Sequence, residues 1–222
     1  MLDSDSNFEN CDISGRSLSA AELCDFSASG CDLSFWRILN SHLRTLNLDD
    51  SRFNYCWSQH CRWTALALDH CLCEHGFFND CDFTRLSVRT SFLTAARFVD
   101  CRFESTDGRL GSFGLCVFDK TRFSDSQMSE MSFIGTTWHD CEFRDETYDF
   151  VRFPSALFVN TRFVNCNLRK VIFRRATFID CRFESCRLPE SVFHNARFMD
   201  TTFADTDIHQ AANLTGVEGL DL

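Results

Sequence analysis

Residues 153–203 run FPSALFVNTRFVNCNLRKVIFRRATFIDCRFESCRLPESVFHNARFMDTTF. A large apolar residue stands at every fifth position: Phe153, Phe158, Phe163, Leu168, Phe173, Phe178, Phe183, Leu188, Phe193, Phe198 and Phe203. Two places before each comes a mostly small residue, among them Ala156, Thr161, Cys166, Ala176, Cys181, Ser191 and Thr201. A helix repeats at roughly 3.6 residues and a strand at about 2, so a period of five belongs to neither and marks a repeat architecture. The register extends back to Phe8 and forward to Ile208 without a slip, through 41 central slots. Twenty of the 25 phenylalanines fill them, and only Ala28, Ser58, Cys73 and Gly108 are not bulky and apolar.

The chain has 222 residues, and a continuous repeat of this length argues for one elongated domain, 1–222. Its net charge of -10 argues against general affinity for nucleic acid or acidic membranes. No apolar run approaches the roughly 18 residues of a membrane span. The start, Met1-Leu2-Asp3-Ser4-Asp5, is acidic and lacks the basic and apolar regions of a secretory signal. Twelve of the 14 cysteines occupy the small slot, where they alternate with Ser, Thr and Ala that cannot pair. This reads as buried free thiols in a reducing cytoplasm.

Units such as Cys81-Asp82-Phe83, Ala96-Arg97-Phe98, Cys101-Arg102-Phe103 and Cys181-Arg182-Phe183 resemble those of the pentapeptide-repeat family: small, polar, Leu or Phe, then two variable residues. The resemblance covers about residues 6–208. It implies an all-β, right-handed quadrilateral β-helix with four pentapeptides per coil, hence about ten coils. The residues support four sides independently. Every fourth central slot from Ala28 (Ala28, Leu48, Leu68, Val88, Gly108, Met128, Tyr148, Leu168, Leu188, Ile208) lacks Phe, whereas the other three columns hold 19 Phe in 30 slots. The small slots of that column enlarge in compensation at Phe26, Leu46, Leu66 and Leu86, as close packing requires. Coils stacked at about 4.8 Å give a rod on the order of 50 Å long.

The repeat leaves two sheet ends to cover. After Ile208 the register shifts by one at Ala212-Asn213-Leu214, so 209–222 is expected to form a C-terminal cap or homodimer contact through Leu214, Val217, Leu220 and Leu222. Gly108 and Glu146 are the expected local distortions. Glu146 falls on an inward slot, where an unpaired charge is costly, so it is expected to turn outward or to force a bulge.

Inward slots of Phe, Leu, Cys, Ser and Thr leave no internal solvent pocket, and a convex rod excludes water poorly, so no catalytic residues and no cofactor are expected. The string His70-Cys71-Leu72-Cys73-Glu74-His75 suggests zinc by composition. In this register, however, Cys71 and Cys73 point inward while His70 and His75 sit on different corners, so no metal site is expected. Stacked thiols such as Cys61, Cys81 and Cys101 have a disulfide-compatible backbone spacing but parallel side chains. Neither a phosphate loop nor a nucleophile motif occurs.

Partner binding is left to the outer surface. Residues 1–50 sum to -6, residues 51–150 to -5 and residues 151–208 to +3. The densest acidic group is Asp140, Glu142, Asp145, Glu146 and Asp149, and the basic group is Arg169, Lys170, Arg174 and Arg175. The slot between the two inward residues holds Trp57 over Phe77 and, on a neighbouring face, Leu72 over Phe92, a candidate partner surface. The family resemblance, to Qnr-type and mycobacterial fluoroquinolone-resistance members, implies a DNA-mimicking rod that binds DNA gyrase or topoisomerase IV and protects it from poisons. The chain lacks the loop insertions of Qnr-type members, and its last third is basic. The alternative is a protein-interaction scaffold, adaptor or secreted effector without a topoisomerase.

Overall fold

The computed structural model describes residues 4–220 and shows an all-β solenoid. Strands pair in parallel with a constant offset of one coil, as in Asp82↔Arg102, Phe83↔Phe103 and Thr84↔Glu104. That offset is 20 residues, the period expected from the Phe-free column. Every fifth residue from Asp5 to Asp205 has positive φ, four per coil, and these are the corners. A left-handed backbone residue turns the chain from one side onto the next, and Asn, Asp and Gly tolerate it best. The N–H at a corner bonds to a carbonyl of the next coil, as from Asp100 to Asp119 (2.9 Å).

We number the sides in chain order. Side one carries central residues Trp63, Phe83 and Phe103, side two Leu68, Val88 and Gly108, side three Cys73, Leu93 and Phe113, and side four Phe78, Phe98 and Phe118. Sides one and two form one ladder and side four another, while side three is joined by single bridges such as Leu72↔Phe92 and Phe92↔Ser112. Among the described residues no helix is long and apolar enough to cross a membrane.

The core is a set of aromatic stacks at the coil repeat. On side one, Phe103 stacks between Phe83 (4.8 Å) and Phe123 (4.5 Å), and the column continues to Phe203. On side four, Phe98 lies 5.0 Å from Phe78 and 5.0 Å from Phe118. Small slots hold Cys, Ser and Thr because their Sγ or Oγ donates to a carbonyl of the preceding coil, as Cys101 does to Phe78 (3.4 Å) and Thr121 to Phe98 (3.3 Å). The 14 cysteines are all free. Burial holds the proton on the inner thiols, with Cys71, Cys116 and Cys141 each pushed up to about 12.

Three exceptions in the central slots have local causes. Ala28 makes room for the buried ring of Phe26 in the same coil. Ser58 accepts a hydrogen bond from Trp63 Nε1 (3.3 Å), satisfying a buried indole. At Gly108 an added Cβ would lie 3.3 Å from Met128 and 3.4 Å from Met131, so methionine fills that volume. The coil is undistorted there: Gly108 pairs in register with Val88 and Met128.

Glu146 neither turns outward nor breaks the coil, contrary to the expectation from its charge. It is 1% exposed and points inward. Its Oε1 accepts the Ser126 N–H (3.2 Å), continuing a buried polar column in which Ser126 Oγ accepts the Thr106 N–H (3.2 Å). Burial raises its pKa to about 8, so at neutral pH the side chain is mostly protonated and the charge cost is avoided. Backbone pairing on both sides holds the segment in place, with Thr147↔Asn167 above it and Gln127↔Thr147 below.

Past the last strand, Thr202–Ala204, a 3-10 turn at Ile208–Gln210 inserts one residue. The offset then becomes 21, as Val192↔Asn213 and Arg197↔Glu218 show, which matches the shift read at Ala212-Asn213-Leu214. Leu214, Val217 and Leu220 are half-buried against the end of the core, and Leu222 lies outside the described residues.

Candidate interaction surface

The outward slots place the candidate residues on particular sides. Leu72 and Phe92 lie on side three, bridged across one coil and 38% and 47% exposed. Trp57 and Phe77 pair on side four and are half-buried, with the Arg37 guanidinium 5.3 Å over the Trp57 ring. Between them runs the corner joining sides three and four, where Phe35, Tyr55 and His75 form a continuous stack. Their ring centroids are 5.3 Å and 5.0 Å apart and nearly parallel.

This corner was not among the candidates read from the outward strand slots. Its signal was present in the sequence, as aromatic residues 20 apart at the fifth position of the repeat. Recognising it requires knowing that the fifth position is a left-handed corner that throws its side chain outward. Farther along, Leu115 occupies the same corner and Ile134 lies beside it. The opposite edge of side three carries Leu110 and Phe150.

The large apolar side chains that remain exposed are Phe35, Tyr55, Leu72, Phe92, Leu110, Leu115, Ile134, Phe150 and Met199. All except Met199 lie on side three or its two corners. Small residues floor the middle of that side, at Gly111, Ser112, Gly114 and Ser132. Corner positions favour Asn, Asp or Gly, so Phe, Tyr and Leu there cost on the order of 1 kcal/mol each in backbone strain. Stability therefore does not account for them.

The acidic group spreads over sides one and two and their corners, and two of its members, Glu142 and Asp149, are paired with arginines while Asp140 and Asp145 accept from neutral amides. Arg144 (3.0 Å) and Arg162 (3.3 Å) pair with Glu142. Arg169 grips Asp149 through Nε (3.0 Å) and Nη2 (2.9 Å). Asn160 and Asn165 donate to Asp140 and Asp145. A second acidic line occupies the corner between sides four and one, at Asp80, Asp100, Asp140, Asp180 and Asp200, interrupted by Lys120 and Asn160. The basic group straddles side three. Arg169 and Lys170 flank one edge, with Lys170 Nζ 4.7 Å over the Phe150 ring and 3.6 Å from Glu190. Arg174 and Arg175 flank the other edge, and with Arg152 they have no ion-pair partner among the described residues.

The metal-like string does not converge. Cys71 and Cys73 are buried, His75 is committed to the Tyr55 stack, and His70 Nδ1 lies 3.0 Å from Asp49 Oδ1. Asp49 raises the pKa of His70 by that hydrogen bond. A comparable group on side four places His139 Nδ1 3.2 Å from both Asp119 and Asp140. Both have the form of a histidine held between carboxylates.

No curated protein sequence matches the chain. A family model described as the SV2A/B/C luminal domain matches residues 152–217. Among solved structures the chain is similar to HetL, a pentapeptide-repeat protein involved in heterocyst differentiation regulation in a Nostoc cyanobacterium. Identity is 13%, coverage 94% of this chain and 91% of that one, and the TM-score 0.44. It is similar to trypsin-treated QnrB1, a plasmid-mediated fluoroquinolone resistance protein, at 10% identity, 99% and 92% coverage and a TM-score of 0.40. It is also similar to the T265N mutant of the periplasmic alginate epimerase AlgG, at 7% identity, 96% and 71% coverage and a TM-score of 0.48.

Proposed function

We propose that this chain is a non-enzymatic rod that binds a protein partner through side three and its two corners. The observation that carries this reading is the segregation of exposed apolar side chains to that one side. Aromatic anchors flanked by polar residues are the usual form of a binding hot spot. A photo-crosslinking residue at position 115 tests it against one at position 105, on the diagonally opposite corner. Position 115 should yield a polypeptide adduct and position 105 none; equal adducts from both, or none from either, would sink the proposal.

A finer reading follows from the family resemblance: a DNA-mimicking modulator of gyrase or topoisomerase IV that protects against topoisomerase poisons. Its support is the acidic corner of Asp80, Asp100, Asp140, Asp180 and Asp200. A supercoiling assay with purified topoisomerase, with and without a quinolone, decides it. Protection or inhibition that is lost in Asp100→Asn/Asp180→Asn supports it, and an inert protein refutes it. An adaptor or secreted-effector role remains the alternative and is tested by the same crosslinked partner.

A further inference from the structure

Two sulfurs are in contact on side three. Cys11 and Cys31 occupy its small slot one coil apart, beside the parallel bridge Asp12↔Asp32, and their Sγ atoms lie 3.4 Å from each other. Cys11 is half-exposed, whereas Cys31 is 2% exposed. We propose that this pair is a thiol–disulfide exchange site: Cys11 meets a small-molecule disulfide from solvent, Cys31 displaces the adduct, and the resulting Cys11–Cys31 bond fastens the coil of residues 4–20 to the one that follows.

The other cysteines do not combine these features. Cys61, Cys81 and Cys101, and likewise Cys166 and Cys186, are stacked but buried, out of reach of a reagent in solvent. Cys24 is half-exposed, but its Sγ lies against the Arg44 guanidinium (3.3 Å) and not against a second sulfur. Backbones one coil apart, at about 4.8 Å, fall within the roughly 4.4–6.8 Å that disulfides span. Side chains that leave the backbone in parallel strain such a bond, and strained or exposed disulfides are the readily reduced ones, so the linkage is reversible.

The chemistry balances without a further oxidant. The Cys11 thiol, whose pKa is raised by its hydrogen bond to Cys31, first gives its proton to water. The thiolate attacks one sulfur of R–S–S–R, forming Cys11–S–S–R and releasing RS⁻. Cys31 then loses its proton and attacks the Cys11 sulfur. The Cys11–SR bond breaks and a second RS⁻ leaves. Two protein thiols are oxidised to one disulfide, and the external disulfide is reduced to two thiols.

The coil so fastened is sparsely packed: among residues 4–20 only Ile13 is buried. It is held by the Phe8 ring 5.6 Å from Phe26, by the Ile13 N–H bonded to the Asp32 carbonyl (3.0 Å) and by Trp36 Nε1 donating to the Ile13 carbonyl (2.8 Å). Its Gly15 N–H bonds to the Ser34 carbonyl (2.9 Å), one coil below the exposed ring of Phe35. A cross-link at Cys11 restricts local opening of this end and steadies the corner on which Phe35 stands.

The test uses the Cys24→Ser protein, which lacks the other half-exposed thiol, with circular dichroism confirming the fold. Dithiodipyridine should release two thiopyridone equivalents per chain, the second at a rate independent of reagent concentration, and should leave no adduct. Peptide mass spectrometry should find Cys11 joined to Cys31, and reduced glutathione should restore both thiols. Adding Cys31→Ser should give one equivalent and a lasting adduct on Cys11; serine fills the same slot at Ser51 and Ser91, so this variant should fold. Hydrogen exchange at residues 5–20 should slow at least about tenfold on oxidation. A single equivalent with a retained adduct in the Cys24→Ser protein, a Cys11 that does not react, or a Cys11–Cys31 bond that leaves exchange at residues 5–20 unchanged would overturn the proposal.

Discussion

Glu146 accepts the Ser126 backbone N–H through Oε1 at 3.2 Å, while its Oε2 and the neighbouring Tyr148 hydroxyl are buried without a hydrogen-bond partner among the described residues. A carboxyl so placed is kept neutral by burial, and its pKa is raised from 4.5 to about 8.

The sign of the pH effect follows. Below pH 4.5 both folded and unfolded chains carry the proton and Glu146 adds no pH dependence. Between 4.5 and about 8 the unfolded chain releases a proton that the folded chain keeps, so stability falls as pH rises. The loss is on the order of several kcal/mol by pH 8, at roughly 1.4 kcal/mol per pKa unit. Glu146→Gln should remove it, raising Tm at pH 8 more than at pH 5. Melting curves with equal pH slopes in the two proteins would refute the assignment.

Phe103 has a ring on both stacking faces, at 4.8 Å and 4.5 Å, and is 1% exposed. Phe103→Ala should cost roughly 3–5 kcal/mol in urea denaturation, because neighbouring coils are pinned by their own ladders and cannot collapse into the void. A loss below about 1 kcal/mol would mean that the core relaxes and is not close-packed there.

The corner aromatics should behave in the opposite way. Tyr55→Asn exchanges a strained bulky residue for one that tolerates positive φ, so stability should be unchanged or rise by up to about 1 kcal/mol. Binding through side three should weaken. A clearly destabilised Tyr55→Asn protein would show that the Phe35–Tyr55–His75 stack serves the fold instead.

Thiol accessibility follows from the slots. Of the 14 cysteines, only Cys11 and Cys24 are even half-exposed. An aromatic disulfide reagent should therefore label about two thiols rapidly in the native protein and all of them in denaturant, since thiols inside the rod are both shielded and held protonated. Rapid native labelling of Cys101 or Cys141 would contradict the closed core.

Serine in place of an aliphatic residue at position 58 has a definite task. Ser58→Ala orphans the buried indole N–H of Trp63, and should cost about 1–3 kcal/mol by chemical denaturation. A neutral Ser58→Ala would mean that the indole finds another acceptor.

Much of the fold was legible because its period is covalent. A pentapeptide side and a 20-residue coil put Phe above Phe wherever the numbering says so, and the avoidance of Phe in one column, compensated at Phe26, revealed the number of sides. The register shift at Ala212-Asn213-Leu214 was legible for the same reason. Glu146 departs from the expectation because its charge is set by its surroundings and not by residue type alone. In the rod, pairing with the coils on either side outweighs one carboxyl's preference for water, and the group answers by keeping its proton.

The coil, the core columns and the inward thiols are readable from residue order, since they depend only on position within a fixed repeat. What the outside presents is set by packing in three dimensions. Whether Glu142 is a free anion depends on Arg144 and Arg162, and whether Tyr55 belongs with Leu72 or with Trp57 depends on how a corner turns. Neighbours on a surface are set by the three-dimensional stacking of side chains whose lengths and directions the repeat leaves open, and on this rod that stacking gathers the apolar groups on one side of four.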